Sequence, residues 1–582
     1  MFNKGAALFV GLAAILFGGI GGGRAHGAES SRPNILLISL DDLNDWVGCL
    51  GGHPQTLTPN IDRLAAEGLL FRNAYTAAPA CNPSRAALFT GLAPASSGLY
   101  NNLQKLREVM PKETLMPRHF SNHGYWSAGS GKLLHYVIDP VSWDDYFPEK
   151  ETDNPFPQTY NPKNRPVSLP RGGPWQYVET DWAALEVDDK TFGGDYAVSE
   201  WIGGQLAQKH DKPFFLGCGI YRPHEPWFVP AKYFEPFPLE SIQLPPGYRP
   251  DDLDDVPPMG RRIARNRYFP HILWHGQWRR GVQAYLASIH FADAMVGRVL
   301  DALEKGPNAD NTIVALWSDH GWHLGEKEHW QKFTGWRAAA RVPLIVKAPK
   351  GCEMLPEGTK PGSVCDRPVS LLDLFATMSD LTGVPAKAGI DGRSIVPLLK
   401  SPEAPWPHPV ITHLGHPQNY AVSTQEWRYL HYRDGGEELY DITEDPYEWT
   451  NRVHDPACAE VLATMRAHAP TKMKPVYENQ PGLADFQSQG VVGLKKIENN
   501  QPPASRPGGK AVTVLIQNRN QFAVTLTPID ANGDPTDAWT MKGATQKLVE
   551  TNAGQVWVCQ NHKGLTLGYL QAGAKPVRLV IE

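Results

Sequence analysis

The chain has 582 residues, 41% of them hydrophobic and 20% charged, with a net charge of −5. That composition suits a folded protein, and the length suggests more than one domain. There is no global basic field to attract nucleic acid, and seven cysteines are too few for a disulfide scaffold, so any anion site must be built locally.

Lys4, the apolar stretch Ala6–Ile20, the glycines after it and Ala25-His26-Gly27-Ala28 read as a secretory signal peptide over residues 1–28. A retained membrane anchor is the alternative, but the stretch is short and glycine-rich, and no second apolar run is long enough to cross a bilayer. The expected location is secreted or periplasmic, with no membrane span after cleavage. Asn34–Leu40 (NILLISL) is a continuous apolar run of the kind that forms a buried parallel strand. Thr58-Pro59 opens a helix that Gly68 closes. Phe214–Ile220, Ile313–Ser318 and Val342–Val346 read as further strands, and the apolar spacing from Val282 to Leu303 as a long helix. These elements predict an α/β catalytic domain over 30–401, with a large, mostly parallel sheet covered by helices. The inserts Phe147–Thr191 and Leu244–Trp278 are the expected pocket walls.

Past Pro402, shorter runs (Val410–His413, Arg428–Tyr432, Glu438–Ile442) predict a small antiparallel α+β subdomain over 402–480. Residues 481–510, rich in Pro, Gly, Asn, Gln and Ser, read as a linker. Alternating runs from Val512 to Ile581 predict a small β-sandwich over 511–582. Cys352 and Cys365 flank a short polar loop and could pair in an oxidising compartment.

Asp41-Asp42 directly follows the first strand, and Asp319-His320 follows Ile313–Ser318. Ligands of open α/β sheets bind at the carboxyl ends of strands, so three carboxylates and an imidazole should meet on one rim. Clustered carboxylates repel one another unless a cation neutralises them. Oxygen-rich ligation favours Ca²⁺ or Mg²⁺, while the histidine leaves a transition metal open. Each pair alone would read as a turn or helix cap; the matching strand ends favour a metal site. Cys81-Asn82-Pro83-Ser84-Arg85 opens a helix that ends at Gly91. Cys81 therefore stands at a helix N-terminus, where an anion is favoured, and Arg85 adds a cation one turn on. A buried packing cysteine and an ordinary thiolate nucleophile are the competing readings.

This segment is very similar to the sulfatase signature. In that family a Cys-x-Pro-x-Arg signal, matched by Cys81, Pro83 and Arg85, leads a formylglycine-generating enzyme to oxidise the cysteine to formylglycine. Asp41, Asp42, Asp319 and His320 stand at the family's metal positions, together with residue 81 itself. The likeness is closest to the iduronate-2-sulfatase branch. It is carried by Asp41-Asp42-Leu43, Gly131-Lys132-Leu133-Leu134-His135, Pro223-His224-Glu225-Pro226 and Ser318-Asp319-His320-Gly321-Trp322, and spans Pro33 to Tyr477, including Glu438-Leu439-Tyr440-Asp441-Ile442. His320 departs from the broad pattern, where many members carry Asn; this narrows the branch and loosens any inference about the metal. The final domain lies outside the likeness. Its Val524-Thr525-Leu526 and Gly554-Gln555-Val556-Trp557 resemble the small β domain first known from the von Hippel–Lindau protein.

The resemblance implies a sulfuric ester hydrolase with the alkaline phosphatase-type fold. One oxygen of the hydrated formylglycine would attack sulfur and release an alcohol; deprotonation of its second hydroxyl would expel sulfate. Arg85 would hold the diol and the helix start, and Lys132 would orient diol or sulfate. His135 would be the base for sulfate release, with His224 and Lys332 donating to the leaving oxygen and sulfate. One divalent cation, Ca²⁺ first, would sit on Asp41, Asp42, residue 81, Asp319 and His320. Taken singly, each of these lysines and histidines reads as a surface or packing residue. His323, His329 and Glu326 match no required position, and Arg337 reads no more strongly than a surface arginine. The implied substrate is a sulfated sugar or polysaccharide. Phosphate, phosphonate or phosphodiester hydrolysis on the same fold, and non-catalytic carbohydrate binding, are the rival functions.

Overall fold

A computed structural model describes residues 32–161, 168–169, 180–477, 491–497 and 501–581, apart from 507, 519, 521, 544, 575 and 576. The expected signal peptide, much of 481–510 and part of the 147–191 insert lie outside the described residues. Among the described residues, no helix is long and apolar enough to cross a membrane.

Eight strands form the main sheet: β1 (Asn34–Leu40), β2 (Leu69–Phe71), β3 (Trp126–Gly131), β4 (Asp145–Phe147), β5 (Phe214–Ile220), β6 (Thr312–Ser318), β7 (Leu344–Lys347) and β8 (Ser363–Cys365). Their order is β8-β2-β7-β6-β1-β5-β3-β4. Four helices matter here: α1 (Pro59–Glu67), α2 (Cys81–Thr90), α3 (Asp195–Leu206) and α4 (Trp278–Lys305). Every residue of β1 is buried. Its Ile35 and Leu37 pack with Leu88 and Phe89 of α2 on one face of the sheet. Leu36, Ile38 and Leu40 pack with Ile61 of α1, Val198 of α3 and Val282, Ile289 and Val296 of α4 on the other. Helices on both faces explain why NILLISL does not alternate with polar residues.

Strand register builds the rim. β1 runs parallel to β5 and β6, with Leu40 opposite both Ile220 and Ser318. Gly131 of β3 lies opposite Gly219 of β5. The residues that follow these strands therefore leave the sheet side by side: Asp41-Asp42, Lys132, Tyr221 to His224, and Asp319-His320. β7 corrects the parallel expectation for its segment, because it runs antiparallel to both β6 and β2. The chain from 319 to 343 thus departs from the rim and returns to the same rim, carrying Lys332 with it.

Downstream, Val410–His413, Tyr420–Ser423, Trp427–His431 and Glu437–Asp441 form an antiparallel sheet. The terminal residues form two four-stranded sheets around a core that includes Val514, Ile516, Leu526, Trp557 and Leu579. Two details differ from the sequence reading. Val491–Gly493, inside the expected linker, pairs parallel with Val577–Ile581; three residues in a polar stretch are too short to stand out. Thr545–Asn552 is a strand as well, exposed or half-buried along its length, so it shows no apolar alternation. Cys352 and Cys365, which could have paired in an oxidising compartment, are free thiols. Each points at a backbone carbonyl, of Pro349 and Pro402 respectively.

Candidate active site

Cys81 is the first residue of α2, and all ten residues of that helix are buried. Its sulfur is ringed by donors: Lys332 Nζ at 3.1 Å, His320 Nε2 at 3.3 Å and Lys132 Nζ at 3.7 Å. One ligating atom each from Asp41, Asp42, Cys81 and His320 lies within 4.8 Å of all the others. Burial would push the Cys81 thiol up, but the charges of Lys132, Lys332 and His320 hold it well below its ordinary value. Burial likewise opposes ionisation of Asp41, yet its ion pairs with Lys132 and Arg85 hold it below the usual carboxylate range. Lys332 ion-pairs with Asp42 Oδ1 at 2.7 Å; Asp42 and Cys81 overcome burial and keep the ammonium charged. Against burial, Asp319 raises His320 to about 9.

The two remaining histidines are pushed in opposite directions. His224 Nδ1 donates to the Glu225 carbonyl at 2.5 Å, which turns Nε2 toward Asp42 Oδ2 at 3.7 Å. Burial opposes its protonation, but Asp42 outweighs burial and raises it. His135 lies against the Cys81 sulfur, and burial lowers it.

Arg85 is held among the strand ends that surround it. Its side chain is fully buried. Nε donates to Asp319 Oδ2 at 2.8 Å; Nη1 reaches Ser39 Oγ and the carbonyls of Lys132 and Leu133; Nη2 reaches Asp41 Oδ1 at 3.1 Å and the Leu40 carbonyl. Every guanidinium donor goes to a protein oxygen, so Arg85 ties together the ends of β1, β3 and β6. Asp319 stands beside the Asp41–Asp42–Cys81–His320 group. Besides Arg85, it accepts from the backbone N–H groups of Asp42 (3.1 Å) and His320 (3.0 Å).

Left-handed backbone turns set Asp42 and the two lysines. Asp42 has φ +66°, a left-handed conformation that costs a non-glycine residue of order 1–2 kcal/mol. Tyr285 of α4 holds it by donating to its carbonyl at 2.7 Å. Lys332 lies between two more such residues, Gln331 and Phe333, and a ring nitrogen of His329 hydrogen-bonds its carbonyl at 2.8 Å. Lys132 leaves β3 through Gly131 at φ +76°, and its N–H donates to Gly219 O at 3.0 Å. A Cβ on Gly131 would meet Gly219 O at 2.0 Å, and one on Gly219 would meet the Lys132 backbone at 2.5 Å.

All ten residues named from the sequence thus meet at one rim. Several others that the sequence does not single out bond to these residues or pack beside them. Ser84 donates to the Asp319 carbonyl at 2.6 Å. Glu225, buried, accepts from Thr180 at 2.9 Å and Trp330 at 3.2 Å. Ser84 lies inside the Cys81 motif and Glu225 inside Pro223–Pro226, so both were in view; Tyr285 sits in a helix stripe that looks like core. Beside Lys132 opens a cleft of about 330 Å³, lined in part by Tyr136, Phe156, Tyr221, Arg222 and Phe228.

Residues 33–384 match the family model for sulfatases. The chain belongs to the sulfatase family. A second model, the C-terminal region of N-sulphoglucosamine sulphohydrolase, matches 325–474. A sulfatase of Formosa agariphila is 36% identical over 483 residues, covering 80% of this chain and 93% of that protein. Human iduronate 2-sulfatase is 31% identical over 390 residues, covering 60% and 69% respectively. Among solved structures, one determined with its substrate D-glucosamine-2-N,6-O-disulfate superposes with a TM-score of 0.58 at 21% identity, covering 75% of this chain and 96% of that one. The phosphonate monoester hydrolase of Agrobacterium radiobacter gives the same four values, so at this distance likeness of structure speaks for the fold alone. This sulfatase is a sulfuric ester hydrolase.

Proposed function

We propose that this sulfatase removes sulfate from a sulfated sugar or polysaccharide, using Cys81 after its conversion to formylglycine, beside one divalent cation, Ca²⁺ ahead of others. The observation that carries the reading is the crowding at Cys81: a helix-start side chain against two aspartates, with two ammonium groups within 3.7 Å of its sulfur. The donor set fits a cation. Asp42 Oδ2 is buried with no hydrogen-bond partner among the described residues, and carboxylates from one strand end share the site with an imidazole. When present, formylglycine supplies an oxygen nucleophile for sulfur, and the cation supplies positive charge beside it.

The chain's own groups do the rest. Lys132 and Lys332 neutralise the sulfate oxygens as charge builds in the transition state. His224, its Nε2 turned toward the reacting centre, gives its proton to the leaving alcohol oxygen, and His135, beside residue 81, takes up the proton whose loss expels sulfate. Asp319 completes the acidic cluster and Arg85 positions it. The sugar assignment is supported by the aromatic-lined cleft beside Lys132 and by the relatives that act on sulfated sugars. Residues 1–28 would send the chain out of the cytoplasm, a formylglycine-generating enzyme would mature it, and the terminal sandwich would fold as a separate domain.

Mass spectrometry of the peptide containing residue 81 tests the maturation, and sulfate release from nitrophenyl sulfate and sulfated oligosaccharides tests the reaction. The expected result is formylglycine at 81 and loss of sulfate release in Cys81→Ala. An unmodified thiol in fully active enzyme, or a Cys81→Ala variant as active as the parent, overturns the reading.

A further inference from the structure

The cleft beside Lys132 holds a second buried guanidinium that the reaction does not use. Arg222 is 6% exposed and lines the cleft together with Lys132 and Tyr221. It contrasts with Arg85, whose donors are all taken. Among the described residues the Arg222 side chain makes one hydrogen bond, Nη2 to Phe228 O at 3.3 Å, and its Nε has no acceptor. Asp195, at the start of α3, is the main opposing charge on Arg222, but its oxygens accept the backbone N–H groups of Tyr221 (2.7 Å) and Arg222 (3.0 Å). Burial also pushes Asp195 up, which weakens it as a counter-charge. A buried cation with unfilled donors is costly unless something arrives to fill them.

The geometry points to an oxyanion of the substrate. The Tyr221 ring centroid is 5.2 Å from Lys132 Nζ and 5.2 Å from Arg222 Cζ, so the two charges are separated by at most twice that distance. One sugar or a pair of linked sugars can bridge such a gap. The walls suit a sugar too, since Tyr136 and Phe156 present ring faces and edges in the same cleft. The residue two places on, His224, faces Asp42, so a single short segment carries a group for the reacting centre and a group for the cleft.

We infer that Arg222 is the receptor for a second anionic group of the substrate, a carboxylate or another sulfate, and that the preferred substrates are sugars bearing two negative groups. A guanidinium offers paired donors to either oxyanion. The inference rests on the sulfatase reading of the Cys81 site.

The test compares kcat/KM of the matured enzyme on a monosulfated neutral sugar, a sulfated uronate and a sugar disulfate, with nitrophenyl sulfate as a probe of the reacting centre. The parent enzyme should prefer one or both doubly charged sugars, and which one identifies the oxyanion. In Arg222→Gln the preference ratio should fall at least about tenfold, the loss expected when a charged hydrogen-bonding partner is removed. Arg222→Lys should fall between. A parent enzyme with no preference overturns the inference whether or not the variants fold, and so does an unchanged ratio in Arg222→Gln. Absence of sulfate release from every compound, nitrophenyl sulfate included, overturns the sulfatase reading and this inference with it, a result distinct from an active enzyme without preference.

Discussion

Replacing Arg85 by methionine removes the tie between three strand ends while keeping an unbranched side chain of similar reach. Asp41 would keep its ion pair with Lys132. Asp319 would lose its charged partner at 2.8 Å and retain two backbone N–H donors, with His320 Nε2 at 3.4 Å. Breaking a buried ion pair from one side costs about 3–5 kcal/mol, because the other charge is left uncompensated. Burial already raises the Asp319 carboxyl to about 7 in spite of Arg85. Without the guanidinium it rises further, so the folded chain holds that proton to higher pH than the unfolded chain does. Both proteins then lose stability as pH climbs from the ordinary carboxylate range, but the parent levels off near pH 7 while the variant keeps falling, so the deficit of Arg85→Met grows above about pH 7. Denaturant unfolding of metal-free protein, followed by tryptophan fluorescence, measures this. The double variant Arg85→Met, Asp319→Asn should recover part of the loss, since the amide leaves no buried charge. A loss below about 1 kcal/mol, in the range of an exposed pair, would refute the reasoning, as would simple addition of the two single losses.

Lys332→Ala removes the ammonium closest to Cys81, and kcat on nitrophenyl sulfate should drop about 10²- to 10³-fold, as for loss of one donor to a developing oxyanion; a change under threefold would exclude a role in the reaction. Chelation should abolish sulfate release and lower the melting temperature, and Ca²⁺ at a hundred times its Kd should restore about 2.7 kcal/mol; full activity in chelator would count against a bound cation. Burial raises Glu225 to about 7 from an ordinary 4.5, so its share of stability is lost as pH rises across that interval, on the order of 3 kcal/mol. Glu225→Gln should flatten that slope in unfolding experiments, and an unaltered slope would show that the carboxyl does not titrate there. A chain ending at Tyr477 keeps the contacts of Tyr477 with Gly98 and Gln104. It should turn over nitrophenyl sulfate at the parent rate to within about twofold if the last strands form a separate domain, and loss of activity would join them to the catalytic part.

Much of this site was legible because chemistry and topology coincide in the sequence. NILLISL followed by Asp-Asp, and IVALWS followed by Asp-His, announce both a buried strand and what stands at its end. The Cys81 motif shows its helix through Pro83 and Gly91. What was hidden depends on partners distant in the chain. Nothing local says that the Arg85 donors are consumed by Asp319 and Asp41, 234 and 44 residues away. The direction of β7 is set by pairing with β6 and β2, and an apolar run carries no sign of direction. Thr545–Asn552 escaped because neither face of it is fully buried. Arg222 had no signal of its own, since a lone arginine before Pro-His reads as a surface residue until the cleft around it is seen.

The close passage of Gly131 against Gly219 has a consequence for how this enzyme can change. The placing of the Lys132 ammonium is entrusted to two positions that contribute no side chain, only room for the backbone to pass. A scan that mutates polar residues alone would miss them, while even alanine at either site would displace Lys132 without touching the reacting atoms. The gap between these two strands has to stay vacant in any descendant that keeps Lys132 where it is.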